Sequence, residues 1–161
     1  MKQLLFSLFV ACAVPLCSFA SAGEWKILEP REASPAYGHA AREFRKFYRA
    51  VTGRELEIVR EAEAGVPLVV IGSDCVNRFT RDAVERGLIE PLDLGAGSDA
   101  YRIVSARDGE RDLLFLAGGN GRATLYAVYD FFERQAGCRY SWDGDIIPPV
   151  ASIPFTGLDL R

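Results

Sequence analysis

The sequence predicts an α+β domain, a mixed β-sheet with three helices packed mostly on one side of it. Three observations lead there. Apolar residues alternate between strand-like and helix-like spacing in the order β-α-β-β-α-β-β-α. Asp108-Gly109 joins two apolar runs, a strong hairpin signal that sets two strands antiparallel. The run Pro67-Leu68-Val69-Val70-Ile71-Gly72 is apolar throughout, as in a strand covered on both faces. A hairpin within the β/α alternation argues against a purely parallel, doubly wound sheet.

Residues 1–22 read as an export signal. Lys2 supplies the positive start, Leu4 to Leu16 the apolar centre, and Ala20-Ser21-Ala22 a small-residue cleavage site before Gly23. A membrane anchor needs about 20 apolar residues, more than this stretch offers. Lipidation fits poorly, because Cys12 lies very early and Cys17 follows the bulky Leu16. The expected destination is secreted or periplasmic, with no membrane contact after cleavage.

Trp25-Lys26-Ile27-Leu28 reads as the opening strand. Ser34-Pro35 starts a helix, Ser as N-cap and Pro at the first helical position. Ala40, Phe44, Phe47, Tyr48 and Val51 form its buried stripe, and Gly53 ends it. Arg42, Arg45, Lys46 and Arg49 fall mainly off that stripe and read as a solvated face. Leu56 to Val59 is a second strand and Pro67 to Gly72 a third. A short helix from about Asn77 to Arg86 follows, stopped by Gly87. Leu88 to Ser98 is a loop with Pro91, Gly95 and Gly97. Tyr101–Ser105 and Leu113–Ala117 are the hairpin strands. A third helix, about Arg122 to Gln135, buries Leu125, Val128, Tyr129 and Phe132 and is capped by Gly137. One domain is therefore expected over 23–146. Residues 147–161, with Pro148, Pro149 and Pro154, read as an extended, linker-like tail toward a following domain.

Composition is that of a globular chain: 49% hydrophobic and 25% charged over 161 residues. The formal charge is −3 and no basic stripe exists, which argues against nucleic acid. Cys75 and Cys138 remain after cleavage of the leader. An exported compartment would permit a disulfide between them, worth about 4 kcal/mol by loop closure. The alternative is two unpaired thiols, since a free Cys packs as a small hydrophobe.

The densest signal is Leu113–Trp142. Gly118-Gly119-Asn120-Gly121 lies between a strand and a helix start, a geometry that can cradle an anion. As a dinucleotide fingerprint it lacks the third glycine, where Thr124 stands, and as a phosphate loop it lacks Gly-Lys-Ser/Thr. A tight turn that seats the helix close to the sheet is the simpler reading. Arg122 at the helix start opposes the helix dipole, so a compensating carboxylate, partner domain or ligand is expected.

The run Gly118, Gly119, Arg122, Thr124, Leu125, Tyr126, Val128, Tyr129, Asp130, Phe131, followed by Gly137-Cys138-Arg139-Tyr140 and Ile147-Pro148, resembles one family. It is similar to the N-terminal, non-catalytic α/β domain of secreted glycoside hydrolases of the α-glucuronidase and chitobiase/β-N-acetylhexosaminidase type. Ala123 and Ala127 stand where that pattern often has glycine. The resemblance implies a zincin-like α+β shape, no catalytic residues in this domain, and a following catalytic barrel as partner. It implies that Gly118, Gly119, Arg122, Thr124, Tyr126, Tyr129 and Asp130 form a structural or docking motif. Arg122 and Asp130 would then fix the third helix against the sheet or the barrel.

Other candidates are thinner. Paired carboxylates mark glycosidases, and the nearest pairs are Asp143 with Asp145 and Asp130 with Glu133. The first is explained by an Asp-Gly turn and the second by a solvated helix face. Asp143-x-Asp145 begins like a calcium loop whose other ligands are missing. His39 is the only histidine, which leaves a metal site without partners. No cofactor is implied. Tyr140 and Trp142 on the exit segment are the candidate sugar-stacking pair, because pyranose rings stack on amphipathic aromatics. The expected function is an accessory domain of a secreted glycan-degrading hydrolase, present here without its barrel, which would take about 250 more residues. The alternatives are a free-standing carbohydrate-binding or interaction module and a small hydrolase in its own right.

Overall fold

The computed structural model describes residues 24–31 and 34–161; the expected leader, with Cys12 and Cys17, lies outside them. The described elements are β1 (Lys26–Leu28), α1 (Pro35–Thr52), β2 (Glu57–Val59), β3 (Leu68–Ile71), α2 (Arg78–Glu85), β4 (Tyr101–Asp108), β5 (Arg111–Gly118), α3 (Gly121–Ala136) and β6 (Asp159–Leu160). They form one sheet in the order β2-β1-β3-β5-β4-β6. β2, β1, β3 and β5 run parallel, while β4 pairs antiparallel with β5 and β6. The fold is thus α+β with a mixed sheet, and Asp108-Gly109 makes the expected hairpin, Asp108 facing Arg111.

Side chains alternate across this sheet, as a pleat dictates. Ile27, Val69, Ile71, Ile103, Leu114 and Leu116 face one layer, built from α1 and α3. Leu28, Leu68, Val70, Val104, Leu113 and Phe115 face the other, built from α2 and the loop residues Ile89 and Leu92. Two of the three helices therefore share a side and the short α2 covers the reverse. That explains the uninterrupted apolar run of β3, whose four residues are all buried.

The aromatic content concentrates in the α1/α3 layer. Phe44 lies 5.4 Å from Phe131 and 5.0 Å from Phe132, ring centre to ring centre. Fully burying one such ring is worth about 1.5–3 kcal/mol. Helix ends follow the sequence signals. Pro35 opens α1 after Ser34, whose side chain, against expectation, makes no capping hydrogen bond, and Gly53 and Gly137 end α1 and α3 at φ 71° and 70°. Asn77 caps α2 through its side chain, which accepts from the Phe79 N–H at 3.0 Å.

The tail departs from the linker-like reading. Residues 147–161 are extended but bound to the domain. Val150 N–H donates to Val51 at 2.7 Å and Ser105 N–H to Leu158 at 2.9 Å. Phe155 is 6% exposed and meets Trp25 edge-on at 4.7 Å. Arg102, buried on β4, donates to Asp159 at 3.0 and 3.1 Å. An extended segment with three prolines cannot form a helix, yet a single Phe and a two-residue strand suffice to seat it.

Candidate functional site

The Gly-rich turn is where sequence pointed most strongly, and its atoms are largely committed to each other. An added Cβ at Gly118 would overlap the Thr124 backbone nitrogen and come within 2.5 Å of the Ala123 carbonyl carbon. At Gly119 it would meet the Gly95 oxygen at 2.6 Å, and at Gly121 the Ala36 methyl at 2.5 Å. Three backbones therefore converge where side chains are missing: α3 on β5, the 95–100 loop on the turn, and α1 on the start of α3.

Asn120 organises this point. Its side-chain oxygen accepts from Ala123 N–H at 2.8 Å, capping α3. Its side-chain nitrogen donates to the carbonyls of Gly97 and Ser98 at 3.0 and 2.8 Å. Thr124 donates its hydroxyl back to the Asn120 carbonyl at 3.0 Å. Gly119 N–H goes to Ala100 at 2.9 Å, and Gly97 N–H to Gly119 at 3.0 Å. Several donors that an anion would need are thus occupied by protein. Sequence reading treated Asn120 as part of the turn and missed its capping role; an Asn ahead of a helix start was the signal.

Arg122 finds its compensating carboxylate inside the domain. Its guanidinium donates to both Asp99 oxygens, at 3.0 and 2.9 Å. These bonds, with one from Asn120, hold the Asp99 carboxyl below its ordinary range and raise Arg122. Asp99 was not singled out in the sequence, because the contact spans 23 positions across a loop.

Further along α3 the motif residues separate. Tyr126 is exposed. Tyr129 is half-buried between Phe47 and Tyr140, and its hydroxyl donates to Glu43 at 3.3 Å. Asp130 accepts from Arg134 at 2.8 Å, while its second oxygen is buried with no hydrogen-bond partner. Burial, then the Asp130 charge, push the nearby Tyr101 hydroxyl up.

The structure does not assemble Tyr140 and Trp142 into one platform. Tyr140 turns inward, 5.3 Å from Phe47 and 4.8 Å from Tyr129, and burial pushes its hydroxyl far above the usual range. Trp142 is 98% exposed at the tip of a turn closed by the Arg139–Ile146 bridge. Two positions apart on a straight extended segment they would share a face; the chain instead turns after Tyr140, which leaves Tyr140 packed inward and carries Trp142 out to the tip. Cys75 and Cys138 are free thiols: Cys75 is exposed between β3 and α2, whereas Cys138 is buried under α1 and α3, on the other face of the sheet.

Three of the four candidate carboxylates, Asp130, Glu133 and Asp143, are individually engaged. Ser141 donates to Asp143, which lowers its carboxyl, and Glu133 pairs with Arg139 at 3.2 Å. His39 is exposed on α1. Among the described residues, no three His, Cys, Asp or Glu side chains are grouped to hold a metal ion.

A cleft of about 590 Å³ opens outside the carboxyl ends of β1, β2 and β3, beside the start of α2. Connections diverge there: β1 continues into α1 on one face and β3 into α2 on the other. Ligands of open α/β sheets favour such a switch point. Its charges, however, are mostly matched in pairs. Arg60 donates to Glu29 at 2.7 Å, Arg31 pairs with Glu61, and Arg81 donates to the carbonyls of Asp74 and Cys75 at 3.0 and 3.3 Å.

A scan of protein-family models finds no match, and a search of curated proteins finds none. Among solved structures, the chain is similar to a family GH115 4-O-methyl-α-glucuronidase with specificity for decorated arabinogalactans. The TM-score is 0.50 at 14% identity, over 68% of this chain. The likeness is one of fold, and the chain spans only 13% of that enzyme's length.

Proposed function

We propose that this chain is a non-catalytic accessory domain, N-terminal in type, of a secreted glycan-degrading glycoside hydrolase of the α-glucuronidase or hexosaminidase kind. The observation that carries the reading is the fold likeness to one small part of a much larger α-glucuronidase. The Gly118–Asp130 motif supports it from a second direction. Gly118, Gly119, Asn120 and Thr124 are spent on seating α3, which suits a structural motif better than a reactive one. The partner in this reading is a catalytic barrel, and Tyr126 on α3 and the Trp142–Ile146 turn are the exposed apolar positions available to meet it.

The test is the intact mass and activity of the protein secreted by its native host, captured with an antibody against Gly23–Arg161. The expected product is heavier by at least a barrel of about 250 residues. It should release sugar from glucuronide or N-acetylhexosaminide substrates. A secreted species of Gly23–Arg161 alone, inactive on both, would refute the proposal. The second reading, a free-standing carbohydrate-binding module, draws on the full exposure of Trp142 and would then take its place.

A further inference from the structure

We propose that a cleft beneath the N-terminal ends of the parallel strands binds one neutral pyranose unit of a glycan. The cleft has a volume of about 270 Å³ and is roofed by the tail. Its apolar surface combines three aromatic rings with Ala151 and Ile153. Trp25 precedes β1, Tyr48 lies in the last turns of α1, and Phe155 comes from the tail. Phe155 fixes both partners, 4.7 Å from the Trp25 ring and 5.7 Å from Tyr48. Around these rings stand Arg54 and Asp112, with the hydroxyls of Ser152 and Thr156.

This combination is selective. A pyranose has an apolar C–H face and a rim of hydroxyls, so it suits an aromatic wall bordered by donors and acceptors. One Arg and one Asp cancel in charge, which favours a neutral ring over an acidic one. Both are also accessible to a ligand. Among the described residues the Arg54 guanidinium has no carboxylate within 4 Å, and the nearest cation to Asp112 is Arg107, at 3.9 Å. In the larger cleft at the opposite end of the sheet, three of the four arginines are engaged, by Glu29, Glu61 and backbone carbonyls. The volume is slightly below the roughly 300–1,000 Å³ of sites for larger ligands, so one ring fits. A neighbouring cleft of about 390 Å³ also uses Trp25 as a wall and gives the rest of a chain room to continue. The inference stands on this cavity and not on the hydrolase reading, so either can fail without the other.

The chain's two tryptophans, Trp25 and Trp142, supply the assay. Their two indole N–H signals in a ¹H–¹⁵N spectrum are assigned with Trp142→Phe. The protein is titrated with xylotetraose, cellotetraose and β-1,4-galactotetraose, and with sorbitol as an open-chain polyol, each to about 10 mM, a range that covers millimolar binding. The expected result is a saturable shift of the Trp25 signal by at least one tetrasaccharide, with Trp142 and the sorbitol series unmoved. Arg54→Ala and Asp112→Asn alter only exposed or half-exposed side chains. Each should weaken that binding about tenfold, the equivalent of one hydrogen bond to a charged group. A still Trp25 signal with all three sugars would overturn the proposal. So would a shift confined to Trp142, an equal response to sorbitol, or variants that bind as the parent does.

Discussion

Replacing Gly118 by alanine tests whether the Gly-rich turn exists to let α3 sit on β5. The new methyl would overlap the Thr124 amide nitrogen and lie 2.5 Å from the Ala123 carbonyl carbon and 2.8 Å from its methyl. Two of these three neighbours are backbone atoms of the first turn of α3, so no side-chain rotation relieves the overlap. The helix must move, and with it Ala127, Val128 and Phe131 on its buried face. Overpacking typically costs 1–3 kcal/mol, and a backbone clash belongs at the upper end, about 3 kcal/mol. For a domain of this size that lowers the melting midpoint by about 10 °C. Gly95→Ala is the control. Its Cβ would meet Ser98 at an ordinary 3.8 Å, and the expected change is under about 0.5 kcal/mol. Thermal unfolding followed by circular dichroism reads both. A Gly118→Ala protein that melts within 2 °C of its parent would refute the close-packing account and return the turn to candidacy as a ligand cradle.

Other consequences are open to direct measurement. Phe155→Ala removes a ring packed on Trp25, Phe44, Tyr48 and Phe131; it should cost about 3 kcal/mol in urea unfolding and shift Trp25 emission to the red. A cost below about 1 kcal/mol would show the tail to be only loosely held. In protein lacking residues 1–22, a thiol reagent should titrate the exposed Cys75 at once and Cys138 only after denaturation. Finding no free thiol in the unfolded protein would establish the disulfide instead. Acid should loosen the tail first. Hydrogen bonds from Arg102 hold the Asp159 carboxyl below its ordinary value, so this contribution is present above about pH 4 and fades as pH falls through the folded value. Faster amide exchange at Leu158 and Ser105 near pH 3, with α3 still protected, is the expected sign. Uniform exchange across the domain would count against it.

Local signals carried most of the fold. Ser34-Pro35, Asn77, Gly53, Gly87 and Gly137 mark helix ends by chemistry that acts within a few residues. Asp108-Gly109 fixed a hairpin for the same reason. What escaped was non-local. Nothing near Phe155 in the chain announces Trp25, 130 positions away, so the tail read as a linker. The Arg122–Asp99 pair was legible only from one side: the misplaced cation called for a carboxylate, but not for that one. Tyr140 and Trp142 look alike as exit-segment aromatics, and only the packing of Phe47 and Tyr129 separates a core ring from a solvent-exposed one.

The clasp between Trp25 and Phe155 bears on the order of events during synthesis. Chains fold from the N-terminus as they emerge, in units that close once their parts are present. Here the layer between α1 and α3 can assemble early, but its aromatic floor stays open until Phe155 arrives, and β4 keeps a bare edge until Asp159 and Leu160 reach it. The nascent domain therefore passes through a stage with an uncovered sheet margin and a wet aromatic cluster, both invitations to wrong partners. A recombinant version stopped at residue 146 would be held at that stage permanently.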